Sequence, residues 1–190
     1  MTTISTEGRR VITGENAAGR SEFVADALTE SRLYLPGYVT LLDLWRMEGF
    51  PAELAADDSP VGPPLLNPPP GGLVARLVGI PPATDPTAAG EDAAAVFERM
   101  GGAEAHLSDS SQQHAGMHRT PTVDLIYVVS GEVYAVLEEG EKLLRAGDLL
   151  VQRGTTHAWT NRTDQTAYLF AVLISTQHGT PLGVIGDSDV

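Results

Sequence analysis

His118, Thr120 and Asp124 lie within the stretch HRTPTVD, residues 118–124, and His157 heads a second polar cluster, HAWTN, that ends at Asn161. Both clusters fall at the ends of β-branched runs. His118 and Asp124 are six residues apart, and on a strand that even interval sends both side chains to one face. Two imidazoles and one carboxylate on a common face suit Fe, Mn, Ni or Zn, and leave positions open for water or a substrate oxygen. Without a metal, His118 and His157 are the general acid and base candidates, since imidazole titrates near neutrality. Arg119 is the cation beside the cluster, a candidate to hold a carboxylate or enolate oxygen, with a solvent-facing side chain as the alternative. Asp124 has a second reading, as a turn cap or a partner for Arg119, Arg153 or Arg162. Tyr127 and Trp159 are candidate pocket residues, although strand aromatics more often serve the core. His106 and His114 precede the cluster at spacings that are not diagnostic. Asn161 and Thr163 are expected to satisfy turn backbone. His178 is assigned no role.

The elements that must position these residues are short strands. From Met117 to Ile174, β-branched runs alternate with glycine or charged turns, which predicts strands at 123–130, 132–138, 141–145, 148–152, 157–161 and 167–174. Many short strands at short spacing point to an all-β sandwich or barrel. Upstream, 9–13 and 21–25 read as two strands joined across Asn16 to Gly19, and 38–45 as a stronger strand after Pro36-Gly37. Residues 50–72 are rich in proline and predict no regular structure; they read as a surface connector, with a lid over the pocket as the alternative. A strand resumes at 73–80. Residues 91–100 (EDAAAVFERM) predict the chain's helix, with acidic residues in its first turn, an apolar face of Ala94, Ala95, Val96, Phe97 and Met100, and Gly101-Gly102 as its stop. The domain reading is an N-terminal β extension with a proline-rich connector (1–72), a barrel (73–176) and a frayed tail (177–190).

Met117 to Ile174 resembles the cupin family, in particular small single-domain bacterial cupins with an RmlC-like conserved barrel. The family's first motif runs from a His-x-His pair to a Glu and then a Gly; His118, Thr120, Asp124 and Gly131 stand at those intervals. Its second motif begins with Gly and ends in His and Asn; Gly147, Gly154, His157 and Asn161 stand there, with Gln152 in place of the proline. Thr120 in place of the second histidine, and Asp124 in place of Glu, are departures that remove one strong metal donor and shorten another. His114 or His106 is the candidate replacement. The resemblance implies a double-stranded β-helix or jelly-roll barrel carrying an N-terminal β extension and one short helix. It also implies a divalent metal at His118, Asp124 and His157, and a homodimer.

Composition narrows the function classes. A formal net charge of −13 argues against nucleic acid and against an anionic membrane surface. The absence of cysteine removes disulfides and thiolate chemistry. No run of apolar residues is long enough to span a bilayer and no signal-like segment is visible, so a soluble cytoplasmic protein is expected. The first functional expectation is a metal-dependent lyase, a decarboxylase or dehydratase in secondary metabolism acting on a small oxygenated organic acid or polyketide-like substrate. His118, His157, Asp124 and Arg119 would act in catalysis, and Thr120, Tyr127, Trp159 and His114 would line the pocket. The alternatives are a non-haem iron dioxygenase and a non-catalytic small-molecule-binding module.

Overall fold

The computed structural model describes residues 6–54, 60–88, 92–107 and 114–176; the expected tail at 177–190, with His178, lies outside the described residues, as does Glu91. In chain order the elements are β1 (Arg9–Glu15), β2 (Ser21–Leu28), β3 (Arg32–Leu35), β4 (Val39–Met47), β5 (Leu73–Ile80), α1 (Ala93–Arg99), β6 (Thr122–Ser130), β7 (Glu132–Leu137), β8 (Gly140–Arg145), β9 (Leu149–Arg153), β10 (His157–Thr160) and β11 (Ala167–Ser175). Two short 3-10 turns flank α1 at Pro86–Ala88 and Ala103–Ala105.

Alternation makes the strands and decides what each face meets. In β6, Thr122, Asp124, Ile126 and Val128 are buried while Leu125 and Tyr127 are exposed. β11 buries Ala167, Leu169, Ala171 and Leu173 in the same rhythm. A six-stranded sheet in the order β3-β4-β5-β11-β6-β9 faces a three-stranded sheet, β10-β7-β8. Their inner faces share one core: Val74, Ile80, Ile126, Val128, Leu169 and Leu173 from the larger sheet meet Val133, Leu144 and Trp159 from the smaller. Gly131 turns β6 into β7 at φ 75°, where a Cβ would lie 3.1 Å from the Ala167 backbone, so glycine is required by both conformation and space. The architecture is the all-β jelly-roll barrel expected.

The N-terminal segment divides differently from its reading in the sequence. β1 and β2 form the expected hairpin, closed by Asn16, whose side-chain oxygen accepts from the Ala18 and Arg20 N–H groups. It stands apart as its own sheet, with Phe23 75% exposed. β3 was not foreseen, and β4 pairs with β5 along its length, so the larger sheet continues across the boundary drawn at residue 72. The proline-rich connector is also more than a surface link. Pro64 and Leu66 are buried, Leu66 N–H donates to the Met100 carbonyl, and Leu66 packs with Phe97 and Met100. In α1 the expected first-turn acid, Asp92, is instead the N-cap, accepting from the Ala94 N–H. Val96, Phe97 and Met100 are buried as expected, but Ala94 and Ala95 face outward, because a seven-residue helix turns only one narrow stripe to the sheet.

Candidate active site

Backbone pairing brings the two motif histidines together. His118 lies just before β6, where its N–H and carbonyl exchange hydrogen bonds with those of His157, both at 2.9 Å. Directly opposed residues of an antiparallel pair put their side chains on the same face. The ring centroids are accordingly 4.2 Å apart. On its other side His118 bridges to His106, and Arg119 N–H donates to the Ala105 carbonyl. Gly154 makes the approach possible: at φ 60° its missing Cβ would sit 3.3 Å from the Thr120 carbonyl oxygen. The rings continue a row of aromatic contacts, with Phe97 4.9 Å from His118 and Trp159 edge-on to His157 at 6.1 Å.

Both rings have their tautomers set by the backbone. Nδ1 of His118 lies 2.9 Å from the Gly116 carbonyl and Nδ1 of His157 lies 2.9 Å from the Thr155 carbonyl. A carbonyl oxygen only accepts, so each Nδ1 carries the proton and each Nε2 presents a lone pair. Burial drives the His118 pKa down to about 3, with the nearby His157 adding to the effect; burial also lowers that of His157. Both imidazoles are neutral at physiological pH and act as acceptors.

Asp124 is 3% exposed, and burial raises its pKa to about 6, against the lowering effects of a hydrogen bond from Thr122 and the charge of Arg76. Its Oδ1 has no hydrogen-bond partner among the described residues. The hydroxyls of Thr120 and Thr122 lie 2.8 Å apart, and either can donate to the other. The side chains of His118, Thr120, Asp124 and His157 line one inner chamber of about 130 Å³. Apart from Arg76, its other walls are apolar, including Val39, Leu41, Ile126 and Leu169. An open outer cleft of about 770 Å³ meets it at His118, Phe97, Met100 and Trp159.

The cation of this chamber is Arg76, a residue without a part in the sequence reading. Arg76 is 3% exposed, lies on β5 and lines the chamber; its Nη2 donates to the Leu65 carbonyl at 2.7 Å. Its Nε stands 2.9 Å from Oδ1 of Asp43, an ion pair whose angle falls short of a hydrogen bond. Asp43 is fully buried and is shared with Arg46 at 3.5 Å. Arg119, the expected cation, is exposed and lines neither the chamber nor the cleft, because its odd offset from His118 turns it to the other face. Tyr127 is corrected for the same reason: three residues beyond Asp124, it is 45% exposed on the outer surface of β6. Trp159 and Thr120 do line the chamber, and His114 lines the outer cleft. Asn161 serves turn backbone as expected, donating to the Ile80 and Gln165 carbonyls and accepting from Thr163.

A divalent ion finds half of its donor set here. The tethered Nδ1–H groups leave both Nε2 atoms oriented as metal-binding histidines are. Asp124 nonetheless does not complete a third position: among the described residues no group of three or more His, Cys, Asp or Glu side chains is arranged to hold a metal ion. His106 and His114 do not make up the loss. Nε2 of His106 is tied to the Ala115 carbonyl at 2.9 Å, Nδ1 of His114 accepts from the Gly116 N–H at 3.0 Å, and both rings face the cleft rather than the chamber. The residues present do not fit a three-ligand metal centre.

Residues 109–173 match the family model described as a cupin domain. Among curated proteins, one segment is 50% identical over 48 residues to phomopsin biosynthesis cluster protein C' of Diaporthe leptostromiformis, covering 25% of each chain. Another match is 53% identical over 45 residues to oryzines biosynthesis cluster protein J of Aspergillus oryzae, covering 23% of this chain and 25% of that one. The cupin-domain-containing oxidoreductase srdD of Neurospora crassa is 44% identical over 48 residues, 25% of this chain and 24% of its own. The chain thus spans about a quarter of the length of the curated relatives it matches. Among solved structures, the Schizosaccharomyces pombe Cnp3 cupin domain aligns with a TM-score of 0.44 at 9% identity, covering 88% of each chain. An RmlC-like cupin from Shewanella frigidimarina aligns with a TM-score of 0.39 at 12% identity, covering 78% of this chain and 86% of that one. No helix among the described residues is long and apolar enough to cross a membrane.

Proposed function

Given that the chain carries a cupin domain, we propose that it is an enzyme of secondary metabolism, a lyase that dehydrates a small oxygenated substrate by proton transfer inside the barrel. The observation that carries this reading is the meeting, in one apolar chamber, of two neutral imidazoles with a carboxyl whose pKa is raised to about 6. A base of that strength works close to neutral pH, where it is ionised yet still basic enough to take a proton from carbon. Asp124 takes the proton beside a substrate carbonyl, and the Arg76 charge stabilises the enolate that forms. The enolate electron pair then expels the β-hydroxyl. Asp124 gives its proton to the departing oxygen, so one water leaves and the carboxylate is restored. Nε2 of His118 and of His157 hold hydroxyl hydrogens and fix the substrate's orientation. Apolar walls exclude bulk water and strengthen each of these interactions. The biosynthesis-cluster names of the phomopsin and oryzines relatives support the secondary-metabolism assignment.

The test is solvent exchange. Incubated in D2O with a panel of small β-hydroxy ketones and acids, the protein should place deuterium beside the carbonyl and release the unsaturated product, with or without oxygen. Asp124→Asn should abolish both. No exchange with any member of the panel contradicts the lyase. The name of the Neurospora crassa relative favours a second reading, an oxidoreductase. Oxygen uptake that accompanies turnover, and turnover that stops under anaerobic conditions, would select it. A protein that binds these compounds but neither exchanges deuterium nor consumes oxygen is the non-catalytic module.

A further inference from the structure

The polar atoms of the inner chamber are matched to one kind of ligand. Nε2 of His118 and of His157 present lone pairs, because both Nδ1–H groups are held by carbonyls. Oδ1 of Asp124 is buried with no partner. The Thr120 hydroxyl lies 2.8 Å from that of Thr122 and can accept as well as donate where it lines the chamber. Three acceptors converge beside the Arg76 guanidinium in a space whose remaining walls are largely apolar. Burying them without donors is costly, because each loses its hydrogen bond to water and gains none in return. The ligand must bring the donors.

Charge selects among donor-bearing ligands. The charges grouped at the chamber are the buried Arg76, Asp43 and Asp124 together with the partly exposed Arg46 that shares Asp43, two positive and two negative with Asp124 ionised. The imidazoles add none. A carboxylate entering this space would leave one uncompensated negative charge in a low-dielectric site, and beside Arg76, whose charge Asp43 already balances, it would meet acceptors rather than donors. An ammonium group would leave one positive charge. A neutral ligand leaves the balance intact.

We infer that the inner chamber takes the neutral, hydroxyl-bearing end of its ligand, a vicinal diol or hydroxy-carbonyl head with at least two O–H donors, and that any carboxylate of the substrate stays outside in the cleft. The inference rests on the chamber being the substrate's site, as proposed above, and names which end of the substrate enters it. This reverses the orientation expected with Arg119 as a carboxylate clamp.

Ligand-observed NMR on the full chain at pH 8, with 1,2-pentanediol, 2-pentanone and pentanoate as probes, tests it directly. The diol should bind about tenfold or more tightly than pentanoate, the factor expected when hydrogen bonds to a buried charged acceptor are made rather than missed. Asp124→Asn replaces an acceptor with a donor-bearing amide, so the diol should lose about tenfold while 2-pentanone, which only accepts, gains. Equal or tighter binding of pentanoate overturns the inference, as does diol binding that Asp124→Asn leaves unchanged, or no diol binding at all. Diol binding without deuterium exchange removes the lyase and leaves the ligand class standing. Exchange in a protein that prefers pentanoate does the opposite.

Discussion

Replacing Asp124 with Asn should make the protein more stable at pH 8 and less useful. Asp124 is 3% exposed, and its pKa rises from 3.8 to about 6 chiefly because burial penalises the ionised form. The neutral acid is easily buried and the carboxylate is not. The folded protein therefore holds a proton that the unfolded chain has already released between about pH 4 and pH 6. Its stability falls as pH rises through that window and stays reduced above it. A displacement of about 2 pKa units corresponds to roughly 3 kcal/mol, at about 1.4 kcal/mol per unit. The amide has nearly the carboxyl's shape and no charge, and its N–H group finds imidazole Nε2 acceptors in the same chamber. Urea denaturation of both proteins at pH 8 and pH 4 is the assay. The variant should gain about 3 kcal/mol at pH 8, with the gain shrinking towards zero at pH 4, where the wild-type carboxyl is protonated in the folded state. A variant less stable than wild type at pH 8, or one with the same gain at both pH values, would refute the claim that Asp124 is held at the cost of folding stability.

Three further outcomes are expected. Asp43→Asn leaves Arg76 buried without its counter-charge and should cost about 3–5 kcal/mol, whereas the double change Asp43→Leu with Arg76→Met should cost far less, measured by the same denaturation series. Phe97→Ala removes a 6% exposed ring that separates chamber from cleft; it should cost about 3–5 kcal/mol and make Trp159 more accessible to acrylamide in fluorescence quenching. His157→Ala should retain the far-ultraviolet circular dichroism of the wild type while lowering deuterium exchange by about 100-fold or more.

Much of the barrel is readable in the sequence because one physical rule, alternation, governs it. The six strands predicted between 123 and 174 all form, with ends displaced by a residue or two, and β5 forms over the residues predicted. Gly131, Gly147 and Gly154 all adopt positive φ, which explains why turns could be placed between those strands. The even spacing of His118, Thr120 and Asp124 likewise predicts their common chamber. β3 was missed because four residues are too few to show a period.

The cation was missed for a different reason. An arginine in a strand reads as solvent-facing, yet Arg76 is in phase with Val74, Val78 and Ile80, and the latter two line the chamber with it. Asp43 is in phase with Val39 and Leu41 in the same way. A charged residue at an inward position on each of two adjacent strands is a sequence signal for a buried pair. The backbone bridge that sets His118 against His157 joins positions 39 residues apart and leaves no local mark.

The proposed chemistry depends most on both imidazoles offering Nε2 as an acceptor, and long-range 1H–15N NMR of the histidine side chains measures that without a substrate. At pH 7 His118 and His157 should both appear as neutral Nδ1–H tautomers, and His118 should stay neutral until the pH approaches about 3. An imidazolium at either position at pH 7, or a proton resident on either Nε2, would contradict the acceptor chamber and the chemistry built on it.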